Sequence, residues 1–411
     1  VGSVFWPGEY APMQAIMVSW KGGTSLWQIL ANMGARITTT GNAELWVAHT
    51  TAAERTDATN RLTSAGANMS RVRFFNRATD TIWIRDYGPR YIYEGGSLGV
   101  RSIVDHTYNR PRANDDALNR WLGPQLKHSV YGLPLVHGGG NYHLDSLTRA
   151  YATRLIRNEN PSLTEQAIIG LWQAYQNVVT HLFDPYPASV DSTQHIDMWM
   201  QVAGDNLVFV SDWPNDPGTT QDQVADNAAA FMAQRGYTVV RLPARRIGTT
   251  HFTFTNMVMC NDLVLLPTYT SSGITAAPNP AGGTVNLNTQ AVDAVRAALP
   301  GKTVVQINCD SIVGLAGVMH CIVMHVPRHL GGVNPTAFLR FPNAGETLQP
   351  GQTYTVRWST DDDTPPGVAD LDLWLSTDGG ATFPTLVAGA IFDDGEFEWT
   401  VPAGAEFTDR A

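Results

Sequence analysis

Over roughly the first 330 residues the hydrophobic positions alternate between a helical spacing and the short continuous apolar runs of buried strands, the pattern of an α/β domain. Three stretches repeat one order. TSLWQILANMGARITTTG (24–41) leads into ELWVAH (44–49), TTQDQVADNAAAFMAQRGY (219–237) into TVVRLPA (238–244), and LNTQAVDAVRAALPG (287–301) into TVVQIN (303–308). Each predicts a helix, a glycine stop and a buried strand. Between these units, DMWMQVAGDNLVFVSD (197–212) and TNMVMCNDLVLLPTY (255–269) read as strand pairs, because Gly-Asp-Asn and Asn-Asp suit hairpin turns. The recurrence has a period near about 60 residues. It fits a degenerate repeat of strands and one helix, which can be set radially with one end of every unit aimed at a common centre.

The pattern changes at RHLGGVNP (328–335), where Gly-Gly and Asn-Pro mark a linker and helical spacing stops. Beyond it TAFLRF (336–341), TYTVRWS (353–359), ADLDLWLS (369–376) and EFEWTV (396–401) alternate polar and apolar residues between turn clusters. They predict a small immunoglobulin-like sandwich over 336–411, short for that fold, after a catalytic domain over 1–333.

Composition narrows the function classes. The 411 residues carry 27 Lys+Arg against 37 Asp+Glu, a net charge of −10 with no basic block, which argues against phosphate neutralisation and hence a nucleic-acid partner. No apolar run reaches the ~20 residues of a membrane span. Of the basic residues only Lys21, Lys127 and Lys302 are lysine, and Gly (37) and Pro (24) are frequent. That style of composition gives the expectation of a secreted or cell-surface protein. Cys260, Cys309 and Cys321 allow at most one disulfide and leave at least one free thiol.

Cys321 lies in GLAGVMHCIVMHVP (314–327), where small residues let the backbone approach something closely before a strand begins. It reads as a nucleophile or, as free cysteines more often are, as a small buried hydrophobe; Cys260 and Cys309, in apolar strands, fit the second reading. A nucleophile needs a base. In a strand His320 would point away from Cys321, and His325 would sit roughly 13 Å along it at ~3.3 Å per residue, so neither serves directly. His195 and Asp197, two apart in TQHIDMWMQ (193–201), would face one way from a strand start, as a site or as a structural hydrogen bond. Asp86 in WIRDYGP (83–89), placed at a strand end, can receive a cation, cap the turn or pair with Arg85. HGGGNYHLD (137–145) sets three glycines between strands and matches no phosphate loop. GGSLG (95–99) copies a serine-hydrolase pattern, but it precedes HGGG in the wrong order and reads as a hairpin turn. His137, His143, His195 and the aspartates show no zinc spacing.

WIRDYGP, HGGG, HID, the strand beginning TNMVM and MHC, in this order, resemble the guanidine-modifying superfamily, and within it the bacterial peptidylarginine deiminases and, more distantly, the agmatine deiminases, over about residues 5–330. The resemblance implies a five-bladed pseudo-symmetric α/β propeller of the pentein type with a central active site, followed by the immunoglobulin-like domain. Residue by residue it implies Cys321 as nucleophile, His195 as general acid/base, Asp86 and Asp197 as the carboxylates on the guanidinium, and Asn256 as a site asparagine. Trp83 matches an aromatic wall. Arg110 and Arg112 in YNRPRANDD (108–116) match the arginine pair that binds a peptide's terminal carboxylate; the plain reading of that segment is a surface turn with Arg110 paired to Asp115 or Asp116. The triplet usual before His-Cys is here Gly314, Ala316 and Gly317, and His137 stands where an acid is more usual. The chemistry implied is hydrolytic deimination of peptidyl arginine, C-terminal arginine favoured, through a cysteine thiouronium, with no metal or organic cofactor required and peptides or proteins as partners. An agmatine deiminase acting on a small guanidine and an inactive surface binding protein are the alternative readings.

Overall fold

The structure, a computed structural model, describes residues 4–343, 345–363 and 367–403. Five sheets of the first 327 residues share one plan. Arg90–Glu94 pairs antiparallel with Val100–Tyr108, and a crossover containing the helix Leu118–Gln125 returns the chain to Ser129–His137, parallel to it. The same hairpin, helix and parallel strand recur as His143–Leu144, Arg149–Thr153, Glu165–Gln176 and Val179–Phe183. They recur again as Met200–Gly204, Leu207–Asp212, Thr220–Gln234 and Thr238–Pro243. The last copy runs Val258–Cys260, Leu263–Thr268, Leu287–Ala298 and Thr303–Asn308. In the remaining sheet the hairpin is split between the two ends of the region: Met324–Pro327 pairs antiparallel with Met13–Ser19, which runs parallel to Glu44–His49 and through it to Val72–Asn76. The last strand therefore ties down the first.

Local sequence explains these elements. Thr24–Thr38 buries Leu26, Ile29, Leu30, Met33 and Ile37 at the three-to-four spacing of one helix face. Thr51 and Glu54 form a capping box at the start of Ala52–Ser64, and Thr164 and Asn286 cap the helices that follow them. The three expected helix-to-strand units and both hairpins are present, GGSLG is the turn between Arg90–Glu94 and Val100–Tyr108, and the three cysteines are free and buried.

Two local expectations are corrected. WIRDYGP does not end a strand: Ile84–Tyr87 is a single helical turn. His195 and Asp197 do not open a strand either, because Ile196–Met198 is a 3-10 turn that precedes Met200–Gly204. Short polar-aromatic segments before a buried strand carry too little hydrophobic periodicity to separate a turn from a strand end.

After residue 335 the chain is all β. Thr336–Phe341, Thr353–Asp361 and Glu396–Thr400 form one antiparallel sheet, while Asp370–Leu375 pairs with Thr385–Phe392, a strand not among the four expected. The end of the expected domain, 404–411, lies outside the described residues. These strands are bolted to the first region. Arg101, buried, forms an ion pair with the equally buried Asp361 at 2.8 Å and another with Asp363, while Arg340 pairs with Glu94 at 3.0 Å and Lys127 with Asp393 at 2.8 Å.

Candidate active site

Five segments occupy the same place in the repeat, each just before the first strand of a hairpin: Ile84–Tyr87, Gly139–Asn141, Ile196–Met198, the turn at Asn256, and His320–Ile322. Hydrogen bonds join them. Gly140 N–H donates to Asp86 Oδ1 at 3.1 Å, Asn256 Nδ2 donates to the Asp197 carbonyl at 3.2 Å, and His320 N–H donates to Asn256 Oδ1 at 3.0 Å. The glycines of HGGG are there for space: none has positive φ, but a Cβ on Gly139 would lie 2.2 Å from the Arg85 carbonyl. On Gly140 it would meet His195 Nδ1 at 2.8 Å, Asp197 Oδ2 at 3.0 Å and Asp86 Oδ1 at 3.1 Å. Two carboxylates and an imidazole thus converge on one bare backbone position. On the other side, a Cβ on Gly317 would lie 2.6 Å from the Trp83 ring and 3.3 Å from Cys321 Cβ, so the small-residue stretch does permit a close approach, that of Trp83.

Cys321 is buried at the head of the His320–Ile322 turn, with its Sγ 3.3 Å from Asn256 Nδ2 and 3.5 Å from Asp197 Oδ2. Burial pushes its thiol well above the ordinary value, and the charges of Asp197 and Asp86 push the same way. Burial also raises Asp86, with Asp197 adding to it and His195 opposing. His195 Nδ1 stands 3.5 Å from Asp86 Oδ1; burial disfavours its charged form, but Asp86, Asp197, Glu159 and Asp191 outweigh that and raise its pKa. The site therefore combines a thiol that burial and acids keep protonated with a histidine inclined to carry a proton.

Arg85, the alternative partner of Asp86, is engaged elsewhere, while Asp86 accepts the Gly140 N–H and lies by His195. Arg85 donates to Glu9 at 2.6 Å, to the His320 carbonyl at 3.2 Å and to His325 Nδ1 at 2.8 Å. His320, expected to face away from the site, reaches it because its segment is a turn. Its ring bonds Asp197 Oδ2 at 2.8 Å through Nδ1 and Glu9 Oε2 at 2.8 Å through Nε2. Burial would raise Asp197, but the His320 hydrogen bond and charge prevail and hold it low. Asp197 is thus kept as a carboxylate from behind.

At the outer side, Arg112 donates to the hydroxyl of Tyr108 at 3.0 Å and to that of Thr81 at 3.4 Å. Arg110 is exposed and forms no ion pair with Asp115 or Asp116, which bind the Asp80–Thr81 backbone and Arg120 instead. Its charge acts inward: burial raises Glu159, and Asn109, His195 and Arg110 oppose the shift. Sequence reasoning missed Glu9 and Glu159, had Arg85 only as a pairing alternative for Asp86, and had Gly140 only as one glycine of HGGG. Glu9 had a signal, an acid inside the aromatic and proline-rich WPGEYAP (6–12), and Glu159 had none. Among the described residues Glu9, His143 and His320 bring ligand-type atoms within 4.8 Å of one another, as do Asp212, Asp222 and Asp226. The first group is occupied by the Arg85–Glu9–His320 hydrogen bonds, and the second is a surface acidic group.

Residues 5–327 match the family model described as Porphyromonas-type peptidyl-arginine deiminase, and residues 341–408 match the Kre9/KNH-like N-terminal Ig-like domain. A curated relative from Photobacterium profundum, named "Putative agmatine deiminase", is 26% identical over 237 residues, which is 54% of this chain and 64% of that protein's length. Among solved structures, the "Putative Arginine Deiminase" of Porphyromonas gingivalis superposes with a TM-score of 0.65 at 20% identity, covering 80% of this chain and 99% of the other. A substrate-bound agmatine deiminase of C. jejuni gives 0.66 at 16% identity, covering 80% and 97%. These likenesses show the fold, a mixed α/β deiminase architecture with an Ig-like domain after it.

Proposed function

The chain belongs to the Porphyromonas-type peptidyl-arginine deiminase family, and from that premise we propose that it hydrolyses the guanidinium of peptidyl arginine, C-terminal arginine favoured, to citrulline and ammonia. The observation that carries the reading is the convergence of Asp86, Asp197 and His195 on Gly140, with Cys321 against Asp197. The repeated position of the five connecting segments supports taking the five sheets as blades of a ring around that point.

A guanidinium keeps its charge at every working pH, so its burial requires carboxylates; Asp86 and Asp197 are placed to receive its N–H groups. Its charge also offsets the two acids that hold Cys321 as a thiol, so binding promotes loss of the Cys321 proton to solvent. The thiolate attacks the central carbon. His195 gives its proton to the departing nitrogen, the C–N bond breaks, and ammonia leaves a thiouronium on Cys321. Neutral His195 then takes a proton from a water that attacks the same carbon, and collapse breaks the C–S bond to release the urea group of citrulline.

Arg110 is the candidate to meet a substrate carboxylate, since it is exposed and has no ion-pair partner among the described residues, with Arg112 steadied by Tyr108 behind it. Glu159 favours a second reading: an acid beside Arg110 and Asn109 suits the amine end of agmatine. Rates on agmatine, free arginine, and peptides with C-terminal, internal or amidated arginine decide between them. Arg110→Ala should cost about 10–100-fold in kcat/KM on C-terminal arginine and little on the amide, as for loss of a charge-assisted pair of ~1.5–3 kcal/mol. Equal wild-type rates on terminal, internal and amidated arginine would remove the carboxylate clamp. A strong preference for agmatine, abolished by Glu159→Gln, would establish the second reading.

A further inference from the structure

Glu9, Arg85, Arg90, Tyr142, His143 and His325 line a partly open cavity of about 60 Å³. Glu9, Arg85 and His325 belong to the hydrogen-bond network described behind Cys321, and none of the six is among the residues placed to touch the substrate. Charge does not balance there. Glu9 is fully engaged: one oxygen takes Arg85 at 2.6 Å and the other takes His320 at 2.8 Å and Gln201 at 3.1 Å. Arg85 also donates through Nε to the His320 carbonyl and through Nη2 to His325 Nδ1. His325 is thereby a neutral acceptor, donating through Nε2 to the Met259 carbonyl at 2.7 Å.

Arg90 is left over. It is 8% exposed and has no carboxylate partner among the described residues; its contacts are one hydrogen bond to the Gly139 carbonyl at 3.3 Å and the Tyr142 ring, 4.1 Å from its central carbon. A buried guanidinium without a counter-charge is costly, and a ring face and one carbonyl offset only part of that cost. His143, 2% exposed and lining the same cavity, has a buried Nε2 with no hydrogen-bond partner among the described residues. The other walls include Trp6, Tyr91 and Met324, apolar or aromatic surface, and the charges acting on the buried Tyr91 hydroxyl are chiefly those of Arg101 and Asp361, outside the cavity lining. A phosphate or sulfate needs more donors than Arg90 and His143 provide. A weakly hydrated monoanion needs only these, and the cavity is several times the ~10–15 Å³ that a single water needs.

We propose that this cavity is a halide-binding site, with Arg90 as its charged anchor and His143 as a second donor, separate from the substrate site. The test uses the full chain. Thermal unfolding is followed in sodium chloride and in sodium gluconate at equal ionic strength, and crystals soaked in sodium bromide are searched for anomalous scattering. Wild type should gain a saturable rise in melting midpoint in chloride, about 2 °C at ten times the half-saturating concentration, that gluconate does not give. Arg90→Met should lose the chloride-specific part, and bromide should appear within about 3.5 Å of the Arg90 guanidinium. If Arg90→Met does not fold, the wild-type bromide position decides by itself. Chloride and gluconate acting alike on wild type, an undiminished chloride response in Arg90→Met, or bromide absent from Arg90 would each overturn the site.

Discussion

At Cys321 burial and charge pull together, at His195 charge overcomes burial, and the two outcomes set the chemistry. Both pKa values lie above their ordinary values: the thiol through burial and the neighbouring Asp197 and Asp86, the imidazole because four carboxylates overcome burial. The imidazolium therefore persists above the usual ~6.5 and the thiol above the usual ~8.5. Since the attacking form is the thiolate and the donating form the imidazolium, kcat/KM should rise and fall around a maximum on the alkaline side of neutrality. A pH series measured by ammonia release checks this, and a maximum below pH 6 would contradict the assignment. Cys321→Ala should release no ammonia while retaining the wild-type circular dichroism spectrum, because no neighbour can form the covalent adduct. His195→Ala should lose roughly 10²–10⁴-fold in kcat; an unchanged rate would assign the proton transfer to another group.

Among the elements, the connecting turns matter more to the site than the strands that carry them. Gly140→Ala would place a methyl 2.8 Å from His195 Nδ1 and 3.0 Å from Asp197 Oδ2. Displacing either group by a fraction of an ångström should lower kcat/KM by about 10²-fold with little change in melting midpoint. A fully active Gly140→Ala would mean that the substrate guanidinium binds elsewhere. The contrasting case is Thr51→Ala, which removes half of the capping box on Ala52–Ser64, away from these turns. It should cost about 0.5–2 kcal/mol in urea unfolding and leave kcat/KM unchanged.

For the whole molecule, the ion pairs that cross between the two regions decide how the C-terminal strands behave. Arg101 and Asp361 are 2% and 3% exposed, and His128 Nε2 lies 3.4 Å from the same carboxylate. Burial opposes the charge on Asp361, but hydrogen bonds from His128 and Arg101 and the Arg101 charge hold its pKa far below the usual range. Removing one partner of such a pair strands the other, so Asp361→Ala should lose about 3–5 kcal/mol of stability. Because the folded pKa is depressed, this contribution is complete above the ordinary carboxylate value of ~3.9 and is lost as pH falls below it. Wild type and variant should therefore differ in melting midpoint at pH 7 and converge in strong acid. A gap that persists unchanged to pH 2 would mean that the pair contributes through packing alone. Deleting 336–411 should likewise destabilise the first region, since Arg101, His128 and Glu94 would lose their partners.

The sequence by itself determined what local physics encodes. Period-2 and period-3.6 patterns placed the helix-to-strand units, the hairpins and the change to all-β structure, because amphipathic spacing and turn residues act over a few positions. The resemblance of its motifs, in their order, to those of a known family picked out Cys321, His195, Asp86, Asp197 and Asn256, which the fold brings to one place. It misassigned the local form of WIRDYGP and HID, where a few residues between buried strands carry no period of their own. Only the tertiary structure decided that His320 supports Asp197, that Glu9 and Arg85 stand behind it, and that Arg110 is free of Asp115 and Asp116. Those facts depend on partners as far apart as Glu9 and His320, whose meeting is set by how Met324–Pro327 closes on Met13–Ser19. Charge balance, burial and pKa belong to that long-range arrangement, and no window of the chain contains it.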